Sequence, residues 1–222
     1  MPLDPTLFVG YLVVAAIIVV SPGPDTMLIL RYTLAGGRRV GFATLSGVQL
    51  GILGHITAAV LGLSVLILSV PIAFKAVAIA GAAYLAFIGV QALRAGTLRI
   101  SPEAQAQALE VGRARAVRDA IITNLFNPKV IMLFVALMPN FVAPQRASVP
   151  LQLVLLGVTL IVINVAWQTG LVLAAARLRQ WLTRLSVQRV IAIISGIVFI
   201  GFAVMLLIEH VVQSHDTVVV SP

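Results

Sequence analysis

The stretch VVSPGPDTMLIL, residues 19–30, places two prolines, a glycine and a carboxylate inside an otherwise unbroken apolar run. A proline within a helix removes a backbone hydrogen bond and clashes with the preceding turn. In lipid the freed carbonyls have no water to turn to, so such a break requires a neighbouring helix, a cavity or a ligand. A charge near the centre of a span costs at least about 2.5 kcal/mol on insertion scales and is therefore expected to face the bundle interior or water. Asp25 is a site candidate on these grounds, and so is Lys129, the other charge inside an apolar run.

The composition makes the membrane reading the governing one. Of 222 residues, 60% are hydrophobic and 10% charged, and the mean hydropathy is +1.10, outside the range of soluble domains. The N-terminus MPLDPTLF lacks the basic residues of a signal peptide, so its apolar run is read as a retained first span. The chain has no cysteine, which excludes disulfide and thiol chemistry.

A bilayer core of about 30 Å needs roughly 20 helical residues. Windows of that length predict six spans: Thr6 to Tyr32, Val40 to Ser69, Ile72 to Leu93, Asp119 to Phe141, Leu151 to Leu178 and Gln188 to Val212. Twelve basic residues fall in three of the connections: Arg31, Arg38 and Arg39; Arg94, Arg99, Arg113, Arg115 and Arg118; and Arg177, Arg179, Arg184 and Arg189. The opposite side has only Lys75 and Arg146. The positive-inside bias predicts both termini on the periplasmic side. It also accounts for the net charge of +8 without nucleic acid as a partner.

The chain reads as one transmembrane domain over 1–222, with a first repeat at about 6–93, a cytoplasmic connector at 94–118 and a second repeat at about 119–212. Ser101-Pro102-Glu103 resembles the start of a short helix in that connector. Three spans per half put the halves in the membrane from opposite sides, so the expected fold is an all-α polytopic bundle of two inverted three-helix repeats. Pro24-Asp25-Thr26-Met27-Leu28 has an echo in Pro128-Lys129-Val130-Ile131-Met132-Leu133, a proline followed at once by a charge of opposite sign. Helices 1 and 4 are thus both expected to be broken at proline motifs.

Structural roles compete with the functional ones. Asp25 can cap a restarted half-helix, a role compatible with a site, and Lys129 can snorkel to an interface. Lys129 lies about ten residues, roughly 15 Å, from the cytoplasmic end of its span, a long reach for snorkelling.

The SPGPD break, the turn AGGRRVGF, the second span GVQLGILGH, the third span AGAAYLAFIG and above all NLFNPKVIMLFVALMPNFV resemble the LysE/RhtB family of bacterial amino-acid exporters. The resemblance runs from Pro5 to about Val212. It implies a multi-pass protein of the bacterial inner membrane, not an enzyme, that expels amino acids such as threonine, homoserine, leucine or lysine. It further implies antiport driven by the proton gradient, a homodimer and no cofactor. Its motifs fall on Pro22, Gly23, Pro24 and Asp25 and on Asn127, Pro128 and Lys129, with Asn124 in the same stretch.

A zwitterionic substrate needs an anion near its ammonium and positive potential near its carboxylate. Helices restarting after Pro24 or Pro128 direct amides and the positive dipole end into the break. The expectation is that these amides and Lys129 hold the carboxylate, while Asp25 pairs with the ammonium or takes a proton. The two charges need not touch, since Asp25 is about seven residues, roughly 10 Å, from the cytoplasmic end of its span.

Further candidates are Asn164 and Gln168, one turn apart in the fifth span, which line the path or bond a neighbouring helix. Gln49, His55 and Tyr84 join them, His55 either as a proton relay or as packing. Gly47, Gly51 and Gly54 mark a close helix contact or a dimer face. A metal or other cation exporter of related architecture is the alternative, but one buried carboxylate and no cysteine offer it few ligands and no metal site. A hydrolase built on Ser21, Asp25 and His55 lacks anything to position the histidine.

Overall fold

The computed structural model describes residues 2–21, 23–63, 112–182 and 184–208, with a discontinuous set of positions between 76 and 94. Pro22, Tyr84 and the stretches 64–75, 95–111 and 209–222 lie outside the described residues, and with them most of the connector and much of the expected third span. Every described element is helical.

Helix α1, Pro5–Val20, begins where the Asp4 carboxylate accepts hydrogen bonds from the amides of Thr6 and Leu7 at 3.0 and 3.2 Å. Pro5 takes the first helical position, where a missing N–H costs nothing. Helix α2, Pro24–Ala58, is divided at Gly37, whose φ of 77° suits a residue without Cβ. Thr33 lies directly against Gly41 across that point. An unbroken helix would hold those positions about 12 Å apart, so the chain folds back here. Arg38 and Arg39 follow the reversal, within the connection expected between the first two spans.

Helix α3, Arg113–Leu125, is followed by α4, Pro128–Met132, which continues through a π-type turn, Leu133–Leu137, and a 3-10 turn, Met138–Phe141. Helices α5, Val149–Leu182, and α6, Leu185–Leu207, complete the order. Helix α3 opens at Arg113, ahead of the start read at Asp119. Hydropathy marks where lipid begins, and the Arg-rich first turns stay helical beyond it.

Among the described residues, the segment Pro24–Gly62, which contains the reversal at Gly37 and so is not one straight helix, and the helix Val149–Ala175, 39 and 27 residues long, are long and apolar enough to cross a membrane. Helix α3 and the Pro128–Phe141 segment, bent by 48°, form a further crossing if the pair is one span. Helix α1 is apolar but, at 16 residues, reaches only about 24 Å. Its Val9 and Val13 are exposed, as are Val158 and Val162 on α5, one turn apart in each case. Such outward apolar stripes suit lipid as solvent.

Helix α2 packs chiefly on α3 and α5. Gly47 lies against the Val117 backbone and Ala120, and Gly51 against Asn124. The glycine surface read as a close helix contact or a dimer face is thus occupied within the chain at these two positions. Tyr11, fully buried, donates its hydroxyl to Leu156 O at 2.9 Å and meets Phe141 edge-on.

Polar ties collect at two ends. At one, Arg146 donates to Asp4 at 2.8 Å, and the Gln152 amide bridges the backbone of Ala143 and Ala147. The Leu7 amide, together with Thr6 and Arg146, holds the Asp4 carboxyl below its usual range against the opposing effect of burial. At the other, Tyr32 donates to Asp119 Oδ2 at 2.7 Å, Arg115 and Arg118 pair with the same carboxylate, and Arg38 donates to Leu173 O at 3.3 Å.

Candidate functional site

Two helix starts meet in the interior, built to one pattern. Helix α2 opens Gly23-Pro24-Asp25 and α4 opens Asn127-Pro128-Lys129. Each begins with an extended residue, puts proline where no amide is needed and a charge next to it. Preceding chain ends nearby: α1 stops at Val20 and α3 at Leu125.

The charges brace each other's breaks. Asp25, 7% exposed, accepts through Oδ2 from Asn124 Nδ2 and Asn127 Nδ2, both at 2.9 Å. In return, Lys129 Nζ donates to Ile18 O at 2.9 Å and Ser21 O at 2.6 Å, carbonyls at the end of α1. A cation on a helix C-terminus also meets the negative end of its dipole. Asn127 joins the two systems, because its Oδ1 accepts the Lys129 amide at 3.1 Å. Gly23 leaves room for the lysine, since a Cβ there would lie 3.2 Å from Nζ.

Among the described residues no ion pair within 4.0 Å joins Asp25 to Lys129. Both nevertheless border one cavity of about 30 Å³. Its apolar wall is Ile18, Val19, Ile52, Val130, Leu133 and Leu160, and its polar wall adds Thr26, Asn164 and Gln168 to the two charges. A single water needs some 10–15 Å³ by the same measure, so this space takes a few waters and no amino acid. Asp25 Oδ1 is buried and has no partner, an acceptor available to whatever enters.

The remaining candidates separate. Asn124, fully buried, is seated on Gly51, and its carbonyl accepts from His55 Nε2 at 3.2 Å. His55 also stacks on Phe134, which places its ring behind the asparagine. Gln49 Nε2 donates to Gln168 Oε1 at 2.9 Å across α2 and α5. Thr26 and the Ile18 and Ser21 carbonyls were not among the sequence candidates. For the carbonyls the signal was present, since a break before Pro22 and Pro24 must free acceptors in α1, but sequence does not name the donor that comes to them. Among the described residues no group of three or more His, Cys, Asp or Glu side chains gathers to hold a metal.

The comparisons with known proteins bear on this geometry. The LysE type translocator family matches residues 16–210, nearly the whole chain. The chain belongs to that family. It is 35% identical over 174 residues to the homoserine/homoserine lactone efflux protein of Salmonella typhi, covering 78% of this chain and 82% of that one. It is 30% identical over 201 residues to the uncharacterized membrane protein YrhP of Bacillus subtilis (strain 168), covering 88% and 95%. It is 31% identical over 206 residues to the uncharacterized membrane protein PA4757 of Pseudomonas aeruginosa, covering 90% and 94%. No solved structure matches. The family is one of translocators and not of enzymes, so this translocator is a multi-pass membrane protein that moves a small molecule.

Proposed function

We propose that this translocator exports a zwitterionic amino acid from the cytoplasm across the bacterial inner membrane in exchange for protons. The observation that carries the reading is the pair of reciprocal braces, which sets one buried anion and one half-buried cation on the walls of one cavity. The efflux activity named for the Salmonella typhi relative supports the direction.

In this reading the substrate ammonium pairs with the free Asp25 Oδ1. The carboxylate takes the third Lys129 proton, the other two being on carbonyls, together with the amides that open α2. Asp25 alternates between holding substrate and holding a proton. The cavity must open to admit substrate, and the joints between α1 and α2 and between α3 and α4 are the hinges. The whole chain is two inverted three-helix repeats with broken helices 1 and 4, both termini outside and the Arg-rich turns in the cytoplasm. It works as a homodimer whose interface lies away from Gly47 and Gly51.

The test is efflux of labelled amino acids from loaded vesicles containing wild type, Asp25→Asn or Lys129→Gln, with and without a proton gradient. The expected result is gradient-dependent efflux by wild type and loss in both variants. Normal efflux by variants that insert and fold would overturn the assignment of the site.

A further inference from the structure

The polar wall of the cavity holds more than the exporter reading uses. Asn164 and Gln168 lie four residues apart on α5, so both amides face the same side of the helix. They are 7% and 3% exposed and both line the cavity. Burying two amides in a membrane helix is costly unless their groups find partners. Among the described residues, Asn164 makes no side-chain hydrogen bond, and Gln168 makes one, through Oε1 to Gln49. Gln49 Oε1 is itself buried without a partner. Among the described residues, Gln168 Nε2 and both side-chain groups of Asn164 are therefore left over at the cavity wall, two donor groups and one acceptor. The aliphatic lining comes from Ile52 of α2, Val130 of α4 and Leu160, one turn before Asn164 on α5.

A space with a charged end, an aliphatic side and a surplus of amide groups fits a substrate with a short side chain ending in a hydrogen-bonding group. We propose that Asn164 and Gln168, the latter positioned by Gln49, are the residues that select such a side chain over its aliphatic isostere. The inference rests on the exporter reading. The selectivity follows from desolvation: an isostere lacking the polar group leaves the buried amides unpaired, whereas the correct side chain satisfies them. A dibasic amino acid is disfavoured separately, because Asp25 is the single carboxylate of the described lining and is already engaged by the α-ammonium.

Threonine and valine differ by a hydroxyl against a methyl and make the comparison direct. In proteoliposomes loaded with both, wild type is expected to export threonine over valine. Asn164→Leu and Gln168→Leu should each reduce that ratio by about tenfold, through a raised KM for threonine. Gln49→Leu, which only frees Gln168, should reduce it less. Protection of the detergent-solubilised protein against heating by threonine and by valine gives a second readout that does not depend on turnover. An unchanged ratio in Asn164→Leu and Gln168→Leu, with export retained, overturns this proposal and leaves the exporter reading intact. A wild type that neither exports nor is protected by either amino acid overturns both.

Discussion

Asn127 donates its side-chain amide to Asp25 Oδ2 at 2.9 Å while its Oδ1 accepts the backbone amide of Lys129 at 3.1 Å. One asparagine thus caps the helix that carries the cation and anchors the anion of the other half. Removing it does two things at once. Asn127→Ala should lose about 1 kcal/mol as a cap and a further 1.5–3 kcal/mol as a donor to a charged group. Asn127→Ser keeps the cap and loses the donor, and should fall between Ala and wild type in thermal unfolding in detergent. Asn127→Asp replaces the donor by a second negative charge against Asp25 and is expected to be the most damaging to export. Wild-type export by Asn127→Asp would show that the bridge has no role in transport.

Lys129 is held by two carbonyl oxygens at the end of α1, and its charge answers both these carbonyls and the helix dipole. Lys129→Met keeps the length of the stem and leaves the Ile18 and Ser21 carbonyls without their donor. We expect a loss of about 1.5–3 kcal/mol in stability, the range for a hydrogen bond from a charged group, and loss of export. Lys129→Arg retains charge but brings a planar, wider head group against Gly23, where the clearance to a Cβ is only 3.2 Å. It should insert as well as wild type and export less than a tenth as fast, by about 1.4 kcal/mol in the barrier. Arginine restoring full export would mean that only the charge matters here.

Much of this was legible in the sequence, for a physical reason. A proline and a charge in an apolar run are expensive in lipid, so their presence at Pro24-Asp25 and Pro128-Lys129 announced where the interior had to be polar. The motifs also carried the family. What hydropathy could not carry was the pairing across the two halves. Asp25 and Asn127 are distant in sequence, and the inward reach of Lys129 to Ser21 depends on how the halves interlock. The expected use of Lys129, to hold a carboxylate, met a lysine already bonded to two carbonyls. Gly51 was visible as a small-residue contact, but its partner Asn124 was not. The Tyr32–Asp119 tie was equally hidden, since Asp119 read as the edge of a span.

The Asp4–Arg146 tie at the N-terminal end gives a pH prediction with a definite sign. The amide of Leu7 and its neighbours lower the Asp4 pKa below the ordinary 3.8, so the folded state favours the ionised form. A depressed carboxyl contributes stability that is complete above the unfolded pKa and is lost as pH falls through the folded one. Asp4→Asn should therefore melt below wild type by an interval that stays constant from about pH 8 to about pH 5 and closes only under stronger acid. Melting curves of the two proteins in detergent across that range check it. An interval that shrinks already near pH 6 would assign the effect to another group.

Glycine substitutions grade the site by how much each neighbour can yield. Gly23 has φ −154° and ψ −175°, extended backbone that any residue adopts, so Gly23→Ala brings no backbone strain. Its new Cβ would meet the Lys129 Nζ and Cε at 3.2 and 3.3 Å, the flexible end of a side chain that can withdraw by a few tenths of an ångström. Stability should change little, while the Ile18 and Ser21 bonds lengthen and export slows. Gly51→Ala is harsher, because its Cβ would stand 2.5 Å from Asn124 Oδ1 and 2.7 Å from Asn124 Cβ, close to the α3 backbone. Overpacking of that kind costs about 1–3 kcal/mol and here also drives Asn124 off the Asp25 carboxylate. Gly54→Ala, 3.0 Å from the mobile tip of Leu125, is the control and should be mild in both stability and export. If Gly54→Ala proved as damaging as Gly51→Ala, helix spacing alone would explain the series, and the asparagine seated on Gly51 would have no special part in it.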